Sequence, residues 1–380
     1  MAMRVFRFLC IPFVFALVGF VRFVSRWKYI RVGEIWSDRL GHFIGNTECY
    51  LAEKDAGIHQ GIDFWYSRNN SCNSIIEKKY RKLLHTIPFT LGYLFNLCNR
   101  YFAGWQNYLA QPCQYDRDIH SAWKKPYLTF TKYEEWKGRR LLKKLGINGK
   151  FVCLMVRDNE YLKKTFSTDF SYHNYRDSDA ETYGSAVLEL LDRGYTVIRM
   201  GVKVASPLKI KHSRFIDYAF DGKRTEFGDL YLGAKCEFAV GTACGFMSIP
   251  QAFDRPIVFV NHVPLEYTPV TNDKALLIWK HHVKDGKRMT LEEIFQCGAG
   301  QFTDGNNFTK LGITLEDNTA QEIWEAVSEM AENYPNVPWK ALQPEFWSKF
   351  PINSLSPYNG LRLHGNPKMR IGREFMKGYT

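Results

Sequence analysis

Strands and helices alternate regularly in the second half of the chain, and this alternation constrains the fold more than any other feature. The predicted strands are the apolar runs FVCLMV, YTVIRMG, FIDYAF, CEFAVG and PIVFV, and the predicted helices between them cover residues 180–193, 227–232 and 246–253. Such alternation is typical of a parallel sheet covered by helices on both faces. The sequence therefore predicts a doubly wound α/β domain.

The first half begins with the same pattern and then changes. YIRVGEI (Tyr29–Ile35) is a predicted strand, followed by a loop that leads into a helix, whereas residues 67–144 are mostly helical, aromatic and basic. A chain of 380 residues exceeds the usual size of one domain. We therefore expect an N-terminal domain over 29–149, a C-terminal domain over 150–338 and a tail over 339–380.

Residues 1–28 form a separate apolar and basic segment. Its uninterrupted apolar run, Phe8 to Val21, has 14 residues, which is short for a bilayer span of about 20 residues. Arg22, Arg26 and Lys28 follow this run, and the combination favours a helix lying in the plane of an anionic membrane surface. A transmembrane span and a first helix buried in the fold are the alternatives.

The formal charge of +12 is spread through most of the sequence and favours anionic partners. Phosphate-bearing substrates and anionic lipid fit this charge, whereas the sequence has no zinc-finger spacing or RNA-recognition signature, so we expect no nucleic-acid partner. The nine cysteines include no CxxC pair, which indicates reduced thiols and a cytosolic location. We expect no bound metal and no cofactor.

Small and basic residues directly follow the predicted strands of the second half. In parallel sheets, ligands bind at this carboxyl end of the strands. Glycines let backbone N–H groups approach a phosphate, and arginines donate two hydrogen bonds to its oxygens. The segment 241–248 is thus a predicted diphosphate cradle, with an ordinary strand-to-helix turn, capped by a hydroxyl side chain, as the alternative. The candidate donor-binding residues are Arg157, Arg199, Gly201, Arg224, Thr225, Gly241, Thr242, Cys244, Gly245 and Ser248.

Two further groups belong to the same half. Glu226 and Asp229 lie on one helix face and are candidate acceptors for ribose or sugar hydroxyls, or else helix-start charges that face the helix dipole. The loop HNYRDSDAETY brings together imidazole, phenol, guanidinium and carboxylate groups, unless it is a solvated loop that caps the next helix. Its candidate cleft residues are His173, Tyr175, Arg176 and Asp177.

The loop after the first strand, WSDRLGHFIGN, contains the candidate general base. His42 or Asp38 could accept the proton of an acceptor hydroxyl, and Arg39 and Asn46 are candidate acceptor contacts. The alternative is a capped helix with a partly buried histidine. KHHVKDGKR, at 280–288, is predicted to be a basic surface loop, because its adjacent histidines would point to opposite sides.

Several of these stretches resemble a family of bacterial proteins assigned as glycosyltransferases and encoded among surface-polysaccharide genes. The similarity covers VGEIWSDRLGHFIGNTECYL, YHNYRDSDAETY, GYTVIRMG, DLYLGAKCEFAVGTACGFMSIPQAFDRPIVFVN and RIGREFMKGY, and it extends over most of the chain from Tyr29. The first 28 residues and the segment 67–144 match poorly.

The resemblance implies a GT-B arrangement: two Rossmann-like domains face a cleft, the acceptor binds the first domain and a nucleotide-sugar binds the second. It further implies that the tail packs back on the first domain and that the enzyme acts on a glycan or lipid-linked acceptor at the cytoplasmic face of the inner membrane. The donor half has no Glu-x7-Glu motif, so we expect an inverting, metal-independent reaction. The alternatives are a noncatalytic nucleotide- or carbohydrate-binding scaffold and another phosphate-handling enzyme, although no P-loop motif supports the latter.

Overall fold

The chain folds into two compact units. The computed structural model describes residues 2–68, 70–111, 126–165, 167–334, 336, 343–357, 360 and 362–379. The first unit contains the described residues up to 128, and the second contains those from 129 onward. Both are built on parallel sheets, which confirms the predicted α/β class.

The first unit has a four-stranded sheet in the order β3-β2-β1-β4, and all its strand pairs are parallel. Its strands are β1 (Ile30–Ile35), β2 (Ile62–Ser67), β3 (His85–Thr86) and β4 (Leu109–Ala110). Its helices are α1 (Ala2–Val24), α2 (Leu40–Asp55), α3 (Ser74–Tyr80) and α4 (Phe89–Asn99). The predicted first strand is therefore confirmed. Of the two candidate bases, Asp38 lies in the loop after it and His42 lies in the first turn of α2.

The N-terminal segment is a helix packed into the first unit. Val14 and Val18 of α1 are fully buried in a cluster that contains Leu94 and Phe95 of α4. Arg22 donates a 3.1 Å hydrogen bond to Oδ1 of Asn99, which fastens the C-terminal end of α1. One face of the segment thus belongs to the core. Within the part of the chain that the structure describes, no helix combines the length and apolarity needed to cross a membrane.

The second unit has a larger sheet of seven parallel strands and a small antiparallel sheet. Its strands are β5 (Phe151–Met155), β6 (Thr196–Arg199), β7 (Phe215–Asp217), β8 (Ala239–Gly241), β9 (Ile257–His262), β10 (Ala275–Trp279), β11 (His281–Lys284), β12 (Lys287–Arg288), β13 (Ile313–Glu316) and β14 (Arg370–Ile371). Its helices are α5 (Lys132–Lys144), α6 (Glu160–Thr165), α7 (Gly184–Asp192), α8 (Glu226–Lys235), α9 (Ser248–Ala252), α10 (Leu291–Gln296), α11 (Gly305–Lys310), α12 (Ala320–Asn333), α13 (Pro344–Lys349) and α14 (Arg373–Met376).

The order of the large sheet is β14-β10-β9-β8-β5-β6-β7. From β5 the chain first builds outward through β6 and β7, and then returns to build β8, β9 and β10 on the other side. This is the strand order of the doubly wound dinucleotide-binding fold, with β14 added at one edge. Its direction reverses between β5 and β8, the position at which sheets of this kind bind ligands in a crevice between the loops. The strands predicted from the apolar runs are confirmed.

Helix α5 belongs to the second unit, whereas the sequence analysis placed it before the domain boundary. It packs on α8: the Tyr231 hydroxyl donates a 3.1 Å hydrogen bond to Glu135, and Lys235 pairs with the same carboxylate at 2.7 Å. A Cβ added at Gly138 would lie 2.1 Å from the Tyr231 ring. The amphipathic pattern of this helix predicts that one of its faces is packed. The pattern does not predict which neighbouring element covers that face.

The described part of the tail is also built into the second unit, although we expected it on the first domain. Strand β14 pairs in parallel with β10. The Arg370 guanidinium donates to Glu329 of α12, and the side chain of Gln343 donates to the carbonyl of Ile371. Residues 337–342, where the sequence analysis placed the end of the second domain, lie outside the described residues.

The prediction of a basic surface loop at 280–288 is wrong. His281 and His282 are buried in β11, which follows β10 directly and pairs with both β12 and β13. Asp285 and Gly286 form the exposed turn of this hairpin with φ values of 50° and 71°. The basic residues correctly indicate a solvated turn, but they do not indicate that the strand before this turn is buried.

Candidate functional site

The crevice between β5 and β8 brings together loops that lie far apart in the sequence. The backbone N–H of Arg157, just after β5, donates a 3.0 Å hydrogen bond to Oγ1 of the buried Thr242, just after β8. Gly241 makes this approach possible, because a Cβ there would lie 1.8 Å from the carbonyl oxygen of Met155. Three of the candidate donor-binding residues, Arg157, Gly241 and Thr242, therefore meet at the switch point of the sheet.

The loop that contains the predicted cleft residues returns to this crevice. The Arg157 guanidinium donates a 3.0 Å hydrogen bond to the carbonyl of His173 and pairs with the carboxylate of Asp177. Burial raises the pKa of Asp177 to about 6, although the positive charge of Arg157 opposes the rise. Tyr175 lies farther along the same loop and packs on Phe308 of α11. A loop predicted to be either functional or solvated is therefore partly buried against the sheet.

Positive charge accumulates in this crevice. The Arg176 guanidinium donates to the carbonyl of Ala243, next to Thr242. Burial lowers the pKa of Arg157, and repulsion from Arg176 lowers it further. Within the described ranges, no carboxylate lies within 4.0 Å of the Arg176 guanidinium. Two guanidinium groups that repel each other at the end of a parallel sheet would be stabilised by an anion between them.

The turn 242–248 leads from β8 into a short helix. Cys244 precedes a single helical turn, Gly245–Met247, and Ser248 begins α9, which has only five residues. Burial raises the pKa of the Cys244 thiol, which favours its neutral form. The predicted helix over 246–253 is thus present as a 3-10 turn followed by a short α-helix. Any phosphate bound here would depend on arginine side chains and backbone N–H groups rather than on a long helix.

Arg199 lies at the end of β6, but its side chain is buried and bonded within the protein. Its side chain is 2 % exposed. The guanidinium donates to the carbonyl of Ser206 at 2.6 Å and to Asp217 at 3.2 Å. Gly201 packs against Val204, because an added Cβ would lie 2.7 Å from that side chain. We therefore leave Arg199 and Gly201 out of the candidate donor site.

The residues around the start of α8 pair among themselves. Thr225 Oγ1 accepts a 2.9 Å hydrogen bond from the N–H of Gly228 and caps the helix. Arg224 pairs with Asp229 at 2.5 Å, and burial raises the pKa of Asp229 to about 6. Glu226 lies in the first helical turn. This geometry matches the helix-start alternative.

Lys280 and Asn261, at the ends of neighbouring strands, were missed by the sequence analysis. Lys280 pairs with Asp317 at 2.7 Å, and its ammonium group also donates to the carbonyl of Asp177. Asn261 has φ 52°, and its side chain donates a 2.7 Å hydrogen bond to Ser178. An asparagine at a strand end was a usable signal, since asparagine adopts positive φ more readily than most residues.

In the first unit, Asp38 and Arg39 directly follow β1. Asp38 pairs with Arg68 at 2.9 Å, and Arg68 also reaches Glu34 at 3.2 Å. Arg39 occupies the N-cap position of α2 without a side-chain capping bond. The Asp38 carboxylate is therefore already engaged by the Arg68 guanidinium.

His42 and Asn46 line one small pocket in the first unit. The His42 ring lies edge-on to Trp36, with 5.3 Å between the ring centroids. The side-chain nitrogen of Asn46 is buried and has no hydrogen-bond partner among the described residues. The residues that line the pocket are Ile35, Trp36, His42, Asn46, Thr47, Tyr50, Trp65 and Leu84. The structure thus brings a basic group, an unpaired donor and aromatic walls to one place.

Among the described residues, no group of three or more His, Cys, Asp or Glu side chains is arranged to hold a metal ion.

No family model matches the chain, and no curated protein matches it. Three of the solved structures to which it is similar are glycosyltransferases. ADP-heptose LPS heptosyltransferase II of E. coli has 13 % identity and a TM-score of 0.48, with 80 % of this chain and 99 % of that chain covered. A glycosyl transferase family 9 protein from Veillonella parvula has 11 % identity and a TM-score of 0.40, with 66 % and 86 % covered. E. coli heptosyltransferase WaaC, solved with ADP-2-deoxy-2-fluoro heptose, has 11 % identity and a TM-score of 0.34, with 80 % and 99 % covered.

Proposed function

We propose that this protein is a glycosyltransferase of the GT-B type that transfers a sugar from a nucleotide-sugar donor to a hydroxyl group of an acceptor. One observation carries the proposal: Arg157 and Arg176 lie together at the switch point of a doubly wound sheet, beside the Gly241–Thr242 turn. A nucleoside diphosphate is the kind of ligand that such a crevice binds.

The donor site would use the residues that the structure brings together. Arg176 has no ion pair with a described carboxylate and would bind the diphosphate directly. Arg157 is already bound to Asp177 and would contribute mainly its charge. Stabilisation of the leaving diphosphate by these guanidinium groups would make a metal ion unnecessary. Cys244, Gly245 and Ser248 would supply contacts from the turn.

The acceptor would bind the first unit. His42 fits the base better than Asp38, because it lines the pocket with Asn46, whereas Asp38 is paired with Arg68. The base would take the proton from the acceptor hydroxyl as that oxygen bonds to the anomeric carbon, and the bond from this carbon to the diphosphate oxygen would break. Attack opposite the leaving group inverts the anomeric centre.

The acceptor itself would be a bacterial surface glycan or its lipid-linked precursor, and the enzyme would act at the cytoplasmic face of the inner membrane. The similarity of the motifs to the polysaccharide-associated family and the basic N-terminal segment support this assignment. The competing function is a noncatalytic scaffold, which would keep the arginine pair but lack a working base.

Binding of UDP-, GDP-, dTDP-, CMP- and ADP-sugars by the full chain tests the donor site. We expect one of them to raise the melting temperature, since a ligand at 100 times its Kd stabilises a protein by about 2.7 kcal/mol. Arg176→Gln should weaken that binding about tenfold or more, because it removes a charge-assisted hydrogen bond. Arg140→Gln is the matched control, since Arg140 is exposed on α5 and lies over Trp136.

Product analysis separates the enzyme from the scaffold. A preparation that binds a nucleotide-sugar but never releases the nucleoside diphosphate, with or without candidate glycan acceptors, would support the scaffold. If no nucleotide-sugar binds, or if Arg176→Gln binds as tightly as the wild type, the proposed donor site is wrong. Normal turnover by both His42→Ala and Asp38→Asn would refute the assignment of the base.

A further inference from the structure

The outer surface of α1 carries a continuous aromatic stripe. Phe13, Phe20 and Phe23 are 73 %, 64 % and 53 % exposed, and Trp27, in the turn after the helix, is 74 % exposed. Their spacing of three, four and seven residues places them on one side of the helix. The opposite side contains Val14 and Val18, and α4 covers it. Both sides of the helix are therefore apolar, but only one of them is covered.

The segment just after α4 adds another exposed ring next to α1. Tyr101 is 76 % exposed, and its ring centroid lies 5.6 Å from that of Phe15 on α1. We call Phe13, Phe20, Phe23, Trp27 and Tyr101 the aromatic face. An exposed apolar surface of this extent on a folded unit usually marks a site of interaction with a partner or a membrane.

The charge around the aromatic face has one sign. Residues 1–33 include no aspartate or glutamate, and their basic residues are Arg4, Arg7, Arg22, Arg26, Lys28 and Arg31. Arg26 and Lys28 are exposed beside Trp27, and Arg100 is exposed beside Tyr101. Arg22 is different, because its hydrogen bond to Asn99 ties it to the fold. Exposed cations next to exposed aromatic rings complement an anionic surface.

We propose that the aromatic face docks the folded first unit onto an anionic lipid bilayer, with α1 lying in the plane of the interface. Aromatic side chains would insert at the level of the headgroups, and Arg26, Lys28 and Arg100 would contact lipid phosphates. A second copy of the chain fits less well, since pairing two such faces would bring like charges together. The proposal concerns attachment alone and is independent of the reaction.

Co-sedimentation of the full chain with phosphatidylcholine vesicles, with and without phosphatidylglycerol, tests this. We expect strong binding only when phosphatidylglycerol is present. The double variant Phe20→Glu/Trp27→Glu should bind at least about tenfold more weakly, because two aromatic side chains no longer insert. Arg26→Gln/Lys28→Gln should lose about fivefold per charge and become less sensitive to salt.

Tyr133→Glu is the matched control, because Tyr133 is 68 % exposed but lies on α5 of the second unit. It should bind vesicles like the wild type. Thermal unfolding should be unchanged in all variants, since every replaced side chain is exposed. Wild-type binding without phosphatidylglycerol, or undiminished binding by Phe20→Glu/Trp27→Glu, would overturn the proposal. So would a wild-type oligomer that this variant dissociates and that does not bind vesicles, because the face would then join two copies.

Discussion

The backbone N–H of Arg157 and the hydroxyl of Thr242 are joined by a hydrogen bond of 3.0 Å across 85 residues of sequence. This contact holds the ends of β5 and β8 together at the point where the candidate donor site lies. Thr242 is 1 % exposed, so no solvent can replace its hydroxyl.

Thr242→Val should therefore destabilise the protein by about 1–3 kcal/mol, because it leaves a buried N–H without an acceptor. Urea unfolding measures this. Thr309→Val is the control, since the Thr309 hydroxyl is exposed and makes only a 3.4 Å contact with the carbonyl of Gly305. Equal stabilities for the two variants would show that the hydrogen bond does not matter.

Gly241→Ala should be more damaging than most glycine substitutions. The new methyl group would lie 1.8 Å from the carbonyl oxygen of Met155, so the β5–β8 pair would have to separate. We expect a loss of about 3 kcal/mol or more and the loss of nucleotide-sugar binding. In Gly149→Ala the added Cβ meets nothing within 4 Å, and its unfolding free energy should change by less than about 0.5 kcal/mol. A stable Gly241→Ala protein would contradict the close approach.

Asp177 should make the protein less stable as the pH rises. Its pKa is raised by burial to about 6, above the value of about 3.9 for an unfolded chain. The stability that it contributes is complete below pH about 4 and disappears as the pH rises through about 6. Between pH 4 and 7 the wild type should thus lose about 2 kcal/mol relative to Asp177→Asn. Parallel stability curves for the two proteins would contradict the raised pKa. Asp229 acts in the same direction but is present in both proteins.

Glu322 should stabilise the start of α12. It closes the capping box with Thr319 and accepts a 2.9 Å hydrogen bond from the buried His281. Glu322→Ala should cost about 2–4 kcal/mol, because both interactions are lost. Glu325→Ala, on the same helix, loses only a contact with Gln321 and should stay within about 0.5 kcal/mol of the wild type.

The pH dependence adds a second test of this pair. Burial opposes the ionisation of Glu322, but its hydrogen bonds with His281 and Thr319 outweigh burial and lower its pKa. A lowered pKa contributes stability above the unfolded pKa, and this stability is lost as the pH falls. The difference between wild type and Glu322→Ala should therefore shrink below pH about 4. A difference that grows on acidification would contradict the assignment.

The sequence by itself determined the features that depend on neighbouring residues. The strands of the large sheet, the strand at Tyr29–Ile35 and the capping boxes at Thr290 and Thr319 were all predictable, because apolar periodicity and capping operate within a few residues. The meeting of Arg157 with Thr242 was partly predictable, since the carboxyl ends of parallel strands share one edge.

Tertiary structure decided which polar side chains can still bind a ligand and which are already paired with other residues of the protein. Arg199 stood at the correct strand end, yet Asp217, 18 residues away, binds it. His281 is held by Glu322 at a separation of 41 residues, and α1 hides one apolar face against α4 while exposing the other. Such pairings follow from which segments become neighbours in space, and a residue pattern of short range contains no record of that choice.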